Sequence, residues 1–197
     1  PGQRLSRTPV RATGMKQLLS ADQISRRVAE LGTQLAADYR GRPLTVVGVL
    51  SGSVVFLADL IRCIDVPHQI GFVEASSYRG RTTTGSELTV SVDRLPDLTG
   101  RDVLLIDDIL DTGRTLASLK ALLAARHPAS LRTAVLLWKD GTQQVDFMAD
   151  YHAFRIPNAF VVGYGLDYNN DYRHRPDIVI LEPQDLPTIG LRPTRPD

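Results

Sequence analysis

The chain has 197 residues, 43% of them hydrophobic and 23% charged, and a formal net charge of +1. That length can enclose one sizeable core. The near-neutral balance excludes a protein that grips nucleic acid by bulk electrostatics, but not one that holds a small anion in a local pocket.

A single cysteine, Cys63, lies in the apolar run Phe56–Ile64. It leaves no internal disulfide and no cysteine-rich zinc site, and it reads as a buried structural thiol. No apolar stretch approaches the roughly 18–20 residues that span a bilayer. Residues 1–14 carry Arg4, Arg7 and Arg11 and lack the apolar centre of a secretory signal. A soluble, cytoplasmic protein without a membrane partner is expected, with residues 1–15 as a flexible arm.

The first helix is predicted from Ser20. Ser20 and Gln23 fit a capping box, and Ile24, Val28, Leu31 and Leu35 recur on one helical face. Leu44–Leu50 is apolar, β-branched and strand-length. A Ser51-Gly-Ser53 turn and a helical pattern over 54–64 follow it. Two strands are predicted over 69–75 and 88–92, separated by the small, polar segment 76–86, which reads as a mobile lid. Val103–Ile106 has the continuous apolar character of a strand buried on both faces. Leu116, Leu119, Leu122 and Leu123 mark a helix ending near His127-Pro128. Further strands are predicted over 131–138, 159–164 and 177–181. Alternating strands and helices make this an α/β fold with a mainly parallel sheet, one domain over 16–182, and an extended or disordered tail over 183–197.

Chemistry concentrates in Asp107-Asp-Ile-Leu-Asp-Thr-Gly-Arg-Thr115. Ligand sites of open α/β sheets lie beyond the carboxyl ends of the strands. The adjacent carboxylates of Asp107 and Asp108, expected at such an end, can accept hydrogen bonds from vicinal sugar hydroxyls. Asp111-Thr-Gly-Arg-Thr115 then leads into a helix, whose N-terminal N–H groups, with Gly113 allowing close approach, make a phosphate cradle. Hydroxyl-binding acids followed by a phosphate turn describe a site for ribose 5-phosphate. Asp111 also reads as a helix N-cap, and the two roles are compatible.

This run resembles the phosphoribosyl pyrophosphate signature of type I phosphoribosyltransferases. The resemblance extends to their hypoxanthine-guanine branch over most of 16–181. Gly48-Val-Leu-Ser-Gly-Ser53 is similar to that branch's pyrophosphate loop, and Ser76-Ser-Tyr78 to the start of its lid. Leu137-Trp-Lys139 and the block Phe160–Arg173 are similar to its purine-binding segments.

The resemblance implies a type I phosphoribosyltransferase fold with a small hood formed by the N-terminal part and about 145–182. It implies transfer of the phosphoribosyl group from phosphoribosyl pyrophosphate to N9 of hypoxanthine or guanine, with xanthine a further candidate base. Mg²⁺ is the implied cofactor, with Asp107, Asp108 and Asp167 as metal-linked carboxylates, and the implied assembly is a homodimer or homotetramer. Asp111 would take the purine N7 proton. Thr112, Gly113, Arg114 and Thr115 would hold the 5′-phosphate, Arg114 through its side chain or its backbone N–H. Lys139 would donate to O6, Phe160 would stack on the base, and the backbone of Val161 would meet its edge. Ser51, Gly52 and Arg173 would contact pyrophosphate, while Ser77 and Tyr78 would close over the site. One departure stands out: Ser51 precedes Gly52 where the branch usually has lysine. The backbone contacts survive this change, and the loop's cation must come from elsewhere or pyrophosphate binding weakens. Relatives can carry a cis peptide at this point.

Two other classes fit the sequence less well. A non-catalytic nucleotide sensor or RNA-binding regulator would not need Asp111, Lys139 and Asp167 together, and RNA binding lacks a basic, aromatic-rich face. A P-loop nucleotide hydrolase fails because no Gly-x-x-x-x-Gly-Lys-Ser/Thr occurs. Lys139→Gln is expected to erode discrimination against adenine by about tenfold, the scale of one mismatched hydrogen bond. Competition assays between hypoxanthine and adenine read this directly, and an unchanged preference would show that another group reads O6.

Overall fold

The structure, a computed structural model, describes residues 15–77, 88–182 and 185. The expected arm up to residue 14, most of the lid and nearly all of the tail lie outside the described residues.

Two sheets form. The smaller contains β1 (Lys16–Leu19), β8 (Val161–Val162) and β9 (Ile178–Ile180), in the order β1-β9-β8 and antiparallel throughout. The larger contains β2 (Leu44–Leu50), β3 (His68–Ser77), β4 (Leu88–Arg94), β5 (Asp102–Leu110), β6 (Ser130–Lys139) and β7 (Tyr151–Ile156), in the order β4-β3-β2-β5-β6-β7. Only the β3–β4 pair in it is antiparallel.

Helix α1 (Ala21–Asp38) starts on the predicted capping box: Ser20 Oγ accepts from the Gln23 N–H, and the Gln23 side chain accepts from the Ser20 N–H. Its buried face, Ile24, Val28, Leu31 and Leu35, packs with α2 (Val54–Cys63) over one side of the large sheet. Cys63 is half-buried rather than fully buried, at the last position of α2, with α1 crossing close to it. A Cβ on Gly32 would stand 2.3 Å from the Cys63 Cβ. Helix α3 (Arg114–Ala124) covers the opposite side through Leu116, Leu119 and Leu123. Alternate residues of β5 therefore feed different cores, Leu104 and Ile106 on one side, Val103 and Leu105 on the other. Burial on both faces explains why this strand is uniformly apolar.

The helices also set where the sheet opens. From β2 the chain crosses through α2 to β3, and from β5 it crosses through α3 to β6 on the other side. The β2–β5 ladder stops at Gly48↔Ile106. Beyond it β2 stays with β3 to Leu50↔Glu74, while β5 stays with β6 to Leu110↔Trp138. The two central strands part, leaving a crevice at the switch point. Asp107 and Asp108 therefore lie within β5, on the stretch that β2 has left, not beyond the strand end as the sequence suggested.

Two strands escaped the sequence reading. Strand β1 is four residues, half of them polar. Strand β7 alternates buried Tyr151, Ala153 and Ile156 with more exposed residues and pairs with β6 at the edge of the large sheet. β7 belongs to the large sheet, and the small sheet draws on 16–19 and 161–180. Strand β8 is shorter than the predicted 159–164 because Gly163 (φ 105°), Tyr164 (φ 49°) and Gly165 (φ 99°) turn the chain out of extended geometry. The small sheet is tied down at Asp177, which accepts a bidentate contact from Arg175 and a bond from Gln17, each at 3.0 Å. Among the described residues no helix is long and apolar enough to cross a membrane.

At the amino ends of the central strands, buried Asp102 accepts from Arg42 Nε at 3.0 Å, from a second guanidinium nitrogen and from Ser130. It joins the segment before β2 to the starts of β5 and β6. Arg42 is 38% exposed and can rehydrate when its partner is lost, so Asp102→Ala is expected to cost about 2 kcal/mol, less than for a fully buried pair. For a chain of this size that is a fall of roughly 4–8 °C in Tm, readable by scanning calorimetry.

Candidate active site

The crevice is a cavity of about 410 Å³ that brings together three stretches distant in sequence: Ser51-Gly52, Asp107 through Gly113 with Thr115, and Asp167 with Arg173.

The first stretch turns sharply after β2. The Leu50–Ser51 peptide is cis, and the Ser53 hydroxyl donates back to the Val49 carbonyl. Gly52 leaves no room for a side chain, since a Cβ there would stand 1.8 Å from Asp108 Oδ2. Gly165 backs the same loop, and its Cβ would be 2.4 Å from the Gly52 carbonyl oxygen. These close approaches hold the loop's backbone against the acids. Ser51 is exposed to the cavity, and Arg173 is the cationic side chain lining it. Arg173 contacts Asp167 Oδ1 at 2.8 Å and donates to the Gly165 carbonyl at 2.6 Å.

The second stretch carries the charge. Asp107 Oδ1 accepts from the Asp108 N–H at 2.9 Å. Burial, then the neighbouring Asp108 charge, push the Asp107 carboxyl well above the usual carboxylate range. Burial also raises Asp108, against the pull of hydrogen bonds and of the Arg173 charge. Desolvated acids side by side cannot both ionise without cost. Such a pair suits a hard cation or a set of hydroxyl donors. Among the described residues, however, no three His, Cys, Asp or Glu side chains gather closely enough to hold a metal alone. The expected trio of Asp107, Asp108 and Asp167 is thus no ready-made cluster, and Asp167 faces Arg173.

Asp111 does not cap α3. Gly113 takes that position at φ 80°, packed so tightly that a Cβ would be 3.1 Å from Val145 Cγ2. Gly113 has no side chain to cap the helix; the Arg114 N–H makes one long bond, 3.5 Å, to Thr112 Oγ1, and the rest of the first turn is left for an anion. Thr112, Gly113 and Thr115 line the cavity, and the Arg114 side chain is exposed outside it. The Asp111 carboxylate instead meets Lys139 Nζ at 3.0 Å.

Lys139, Phe160 and Val161 do not line this cavity. Lys139 adjoins it through Asp111. Phe160 is 51% exposed, held edge-to-face by Tyr168 at 5.9 Å, and offers a free ring face. Val161 is buried in β8. Trp138 packs into the α3-side core beneath Arg155 and against His152, away from the cavity. Ser77 ends β3, and Tyr78 lies outside the described residues. The sequence reading missed Thr142 and Gln143, which bond the backbone of Asp111. A polar loop without a motif carries no signal of that contact.

Because the folded acid pair keeps a proton that the unfolded chain has released, its contribution to stability falls as pH rises. The loss begins in the ordinary carboxylate range and is complete above the raised value. Asp107→Asn removes the repulsion. Its Tm is expected to exceed that of the wild type at mildly alkaline pH, with the gap closing toward acid pH. A wild type that melts higher than Asp107→Asn at alkaline pH would contradict a repulsive acid pair.

Comparison with known proteins agrees with this geometry. A family model described as a phosphoribosyl transferase domain matches residues 14–169. The hypoxanthine-guanine phosphoribosyltransferase of Streptococcus pneumoniae is 42% identical over 167 residues, covering 85% of this chain and 93% of that protein. The protein of that name from Staphylococcus aureus is 44% identical over the same length and the same shares. Among solved structures, a hypoxanthine phosphoribosyltransferase from S. aureus superposes with a TM-score of 0.81 at 43% identity, covering 86% of this chain and 92% of that one. The Trypanosoma cruzi hypoxanthine phosphoribosyltransferase, in a ternary substrates complex, gives 0.80 at 40% identity, covering 86% and 96%. On the type I fold, the switch-point cavity and these similarities, the chain belongs to the hypoxanthine-guanine phosphoribosyltransferase family.

Proposed function

We propose that the chain is a purine salvage enzyme that moves the 5-phosphoribosyl group of phosphoribosyl pyrophosphate to N9 of hypoxanthine or guanine, yielding IMP or GMP and pyrophosphate. The observation that carries this reading is one cavity uniting an acid pair, an uncapped helix N-terminus and a glycine loop, with the Asp111–Lys139 pair at its edge. Those parts suit, in order, ribose hydroxyls, a 5′-phosphate, pyrophosphate and a 6-oxopurine.

In this reading N9 attacks C1′ as the bond from C1′ to the pyrophosphate oxygen breaks, through an oxocarbenium-like transition state. Asp107 and Asp108 bind the ribose hydroxyls, and the α3 N-terminus with Thr112 and Thr115 binds the 5′-phosphate. The Gly52 backbone and Arg173 hold the leaving pyrophosphate, Arg173 as the cation that Ser51 does not supply. Asp111 accepts the N7 proton while Lys139 donates to O6, and the exposed face of Phe160 stacks on the base. Adenine would set its amino group against the Lys139 donor, a mismatch of about 1–3 kcal/mol. Mg²⁺, held by Asp107 and Asp108 with substrate oxygens and with Asp167 nearby, would neutralise charge on the leaving group. Ser77 and Tyr78 close the site against water. A homodimer or homotetramer is the proposed assembly, measurable by light scattering.

Mixing the protein with Mg²⁺, phosphoribosyl pyrophosphate and hypoxanthine, guanine or xanthine in turn should yield nucleotide from at least one of the first two. No product from either would sink the reading. Asp111→Asn is expected to lower kcat by about 10²–10⁴-fold, the usual range for a general base, in the same steady-state assay. Undiminished turnover would remove Asp111 from that role.

A further inference from the structure

The loop after β6 makes contacts that none of the roles above uses. The β5–β6 ladder ends at Leu110↔Trp138, so Asp111 and Lys139 are the first residues beyond it. Their backbone carbonyls converge on one side-chain amide: Gln143 Nε2 donates to the Asp111 oxygen at 3.1 Å and to the Lys139 oxygen at 2.7 Å. Two carbonyl acceptors require the amide nitrogen there, because the amide oxygen has nothing to donate. Thr142 Oγ1 adds a second bond to the Asp111 carbonyl at 3.1 Å, and the Gln144 N–H bonds the Thr112 carbonyl at 2.9 Å. The segment that carries Asp111 has left the sheet and is followed by an uncapped helix start. Residues 142–144 brace it where the ladder no longer does.

What the brace holds is a donor and an acceptor side by side. Lys139 Nζ and Asp111 Oδ2 are 3.0 Å apart, the lysine side chain 10% exposed and the carboxylate 45%. A 6-oxopurine presents O6 and N7 next to each other on one edge. Lysine can only donate and an ionised carboxylate can only accept, so the pair matches an O6 acceptor beside a protonated N7. Both side chains spring from the backbone that Gln143 joins. We propose that Gln143, which lies outside the cavity, is a positioning residue: it fixes the spacing of Asp111 and Lys139 to the O6–N7 edge of the base. The proposal rests on the phosphoribosyl-transfer reading above and adds to it a determinant of base selectivity that does not touch the base.

The test compares Gln143→Met, which keeps bulk and loses both donors, with Gln143→Arg, whose guanidinium restores them. Turnover with hypoxanthine and with adenine is measured beside calorimetric binding of phosphoribosyl pyrophosphate with Mg²⁺. In Gln143→Met, kcat with hypoxanthine should fall about tenfold to a hundredfold and its preference over adenine should shrink, while phosphoribosyl pyrophosphate affinity stays within about twofold. Gln143→Arg should recover most of both losses. Unchanged kcat and preference in Gln143→Met would overturn the proposal. So would an equal fall in phosphoribosyl pyrophosphate affinity, or no recovery in Gln143→Arg, since either outcome marks a merely structural side chain. A wild type that makes no nucleotide from any base defeats the functional reading instead. In that event a crystal structure of Gln143→Met still decides: displaced Asp111 and Lys139 support the brace, and unmoved ones refute it.

Discussion

The site depends on the parting of β2 and β5. Up to Gly48 and Ile106 they are neighbours in a parallel ladder, and past that point each keeps only its outer partner. The cause is the crossovers, α2 on one face leading outward to β3 and α3 on the other leading outward to β6. No connection bridges the gap at the carboxyl ends, so β5 runs on with one flank open. The residues on that flank are the two acids. A parallel sheet wound both ways thus makes a cleft and supplies its charge with the same strand.

Placing charge there is costly, and the surroundings show how it is borne. Burial raises the proton affinity of both Asp107 and Asp108, and the Asp108 charge adds to the rise at Asp107. The nearest compensation is Arg173, carried by the loop between β8 and β9, so the small sheet brings a counter-charge to the large one. Gly52 and Gly165 allow the approach. With side chains at those positions, the loop after β2 could not lie against Asp108 on one side and the 165 turn on the other. A cation or hydrogen-bond donors beside the pair would favour its ionised form.

Selectivity is built differently, at the end of a ladder. Asp111 and Lys139 emerge from adjacent strands at adjacent levels, and their ion pair is an adaptable donor–acceptor edge. Lys139 is still held by β7, whereas Asp111 stands just beyond its strand and inherits less of the sheet's rigidity, so the polar loop 142–144 has a structural task that its composition does not advertise. Phe160, beside the small sheet, is braced edge-on by Tyr168. In the proposed reading the base would be met by groups from both sheets.

The α1 capping box, the apolar strands at 44–50 and 103–106, the α3 stripe and the acid–threonine–glycine run were legible in the residues themselves, because local periodicity and turn chemistry encode them. So was the class of chemistry, since two acids followed by a phosphate turn leave few alternatives. Strands β1 and β7 were not: β1 is short and forms against the distant β9, and β7 takes the edge of the large sheet beside β6. Nor was the N-cap of α3. Asp111 has the right chemistry for it, yet Gly113 takes the place because the turn needs a positive φ against Val145. By itself the sequence determined which groups are available, namely the acids, the cradle, the lysine and the aromatic. Only the tertiary structure decided that the acids sit within a strand rather than after it, that Arg173 faces the loop where Ser51 replaces a cation, and that Gln143 ties Asp111 to Lys139. Each of these depends on which distant segments lie side by side, and that is set by sheet order and crossover, not by neighbouring residues.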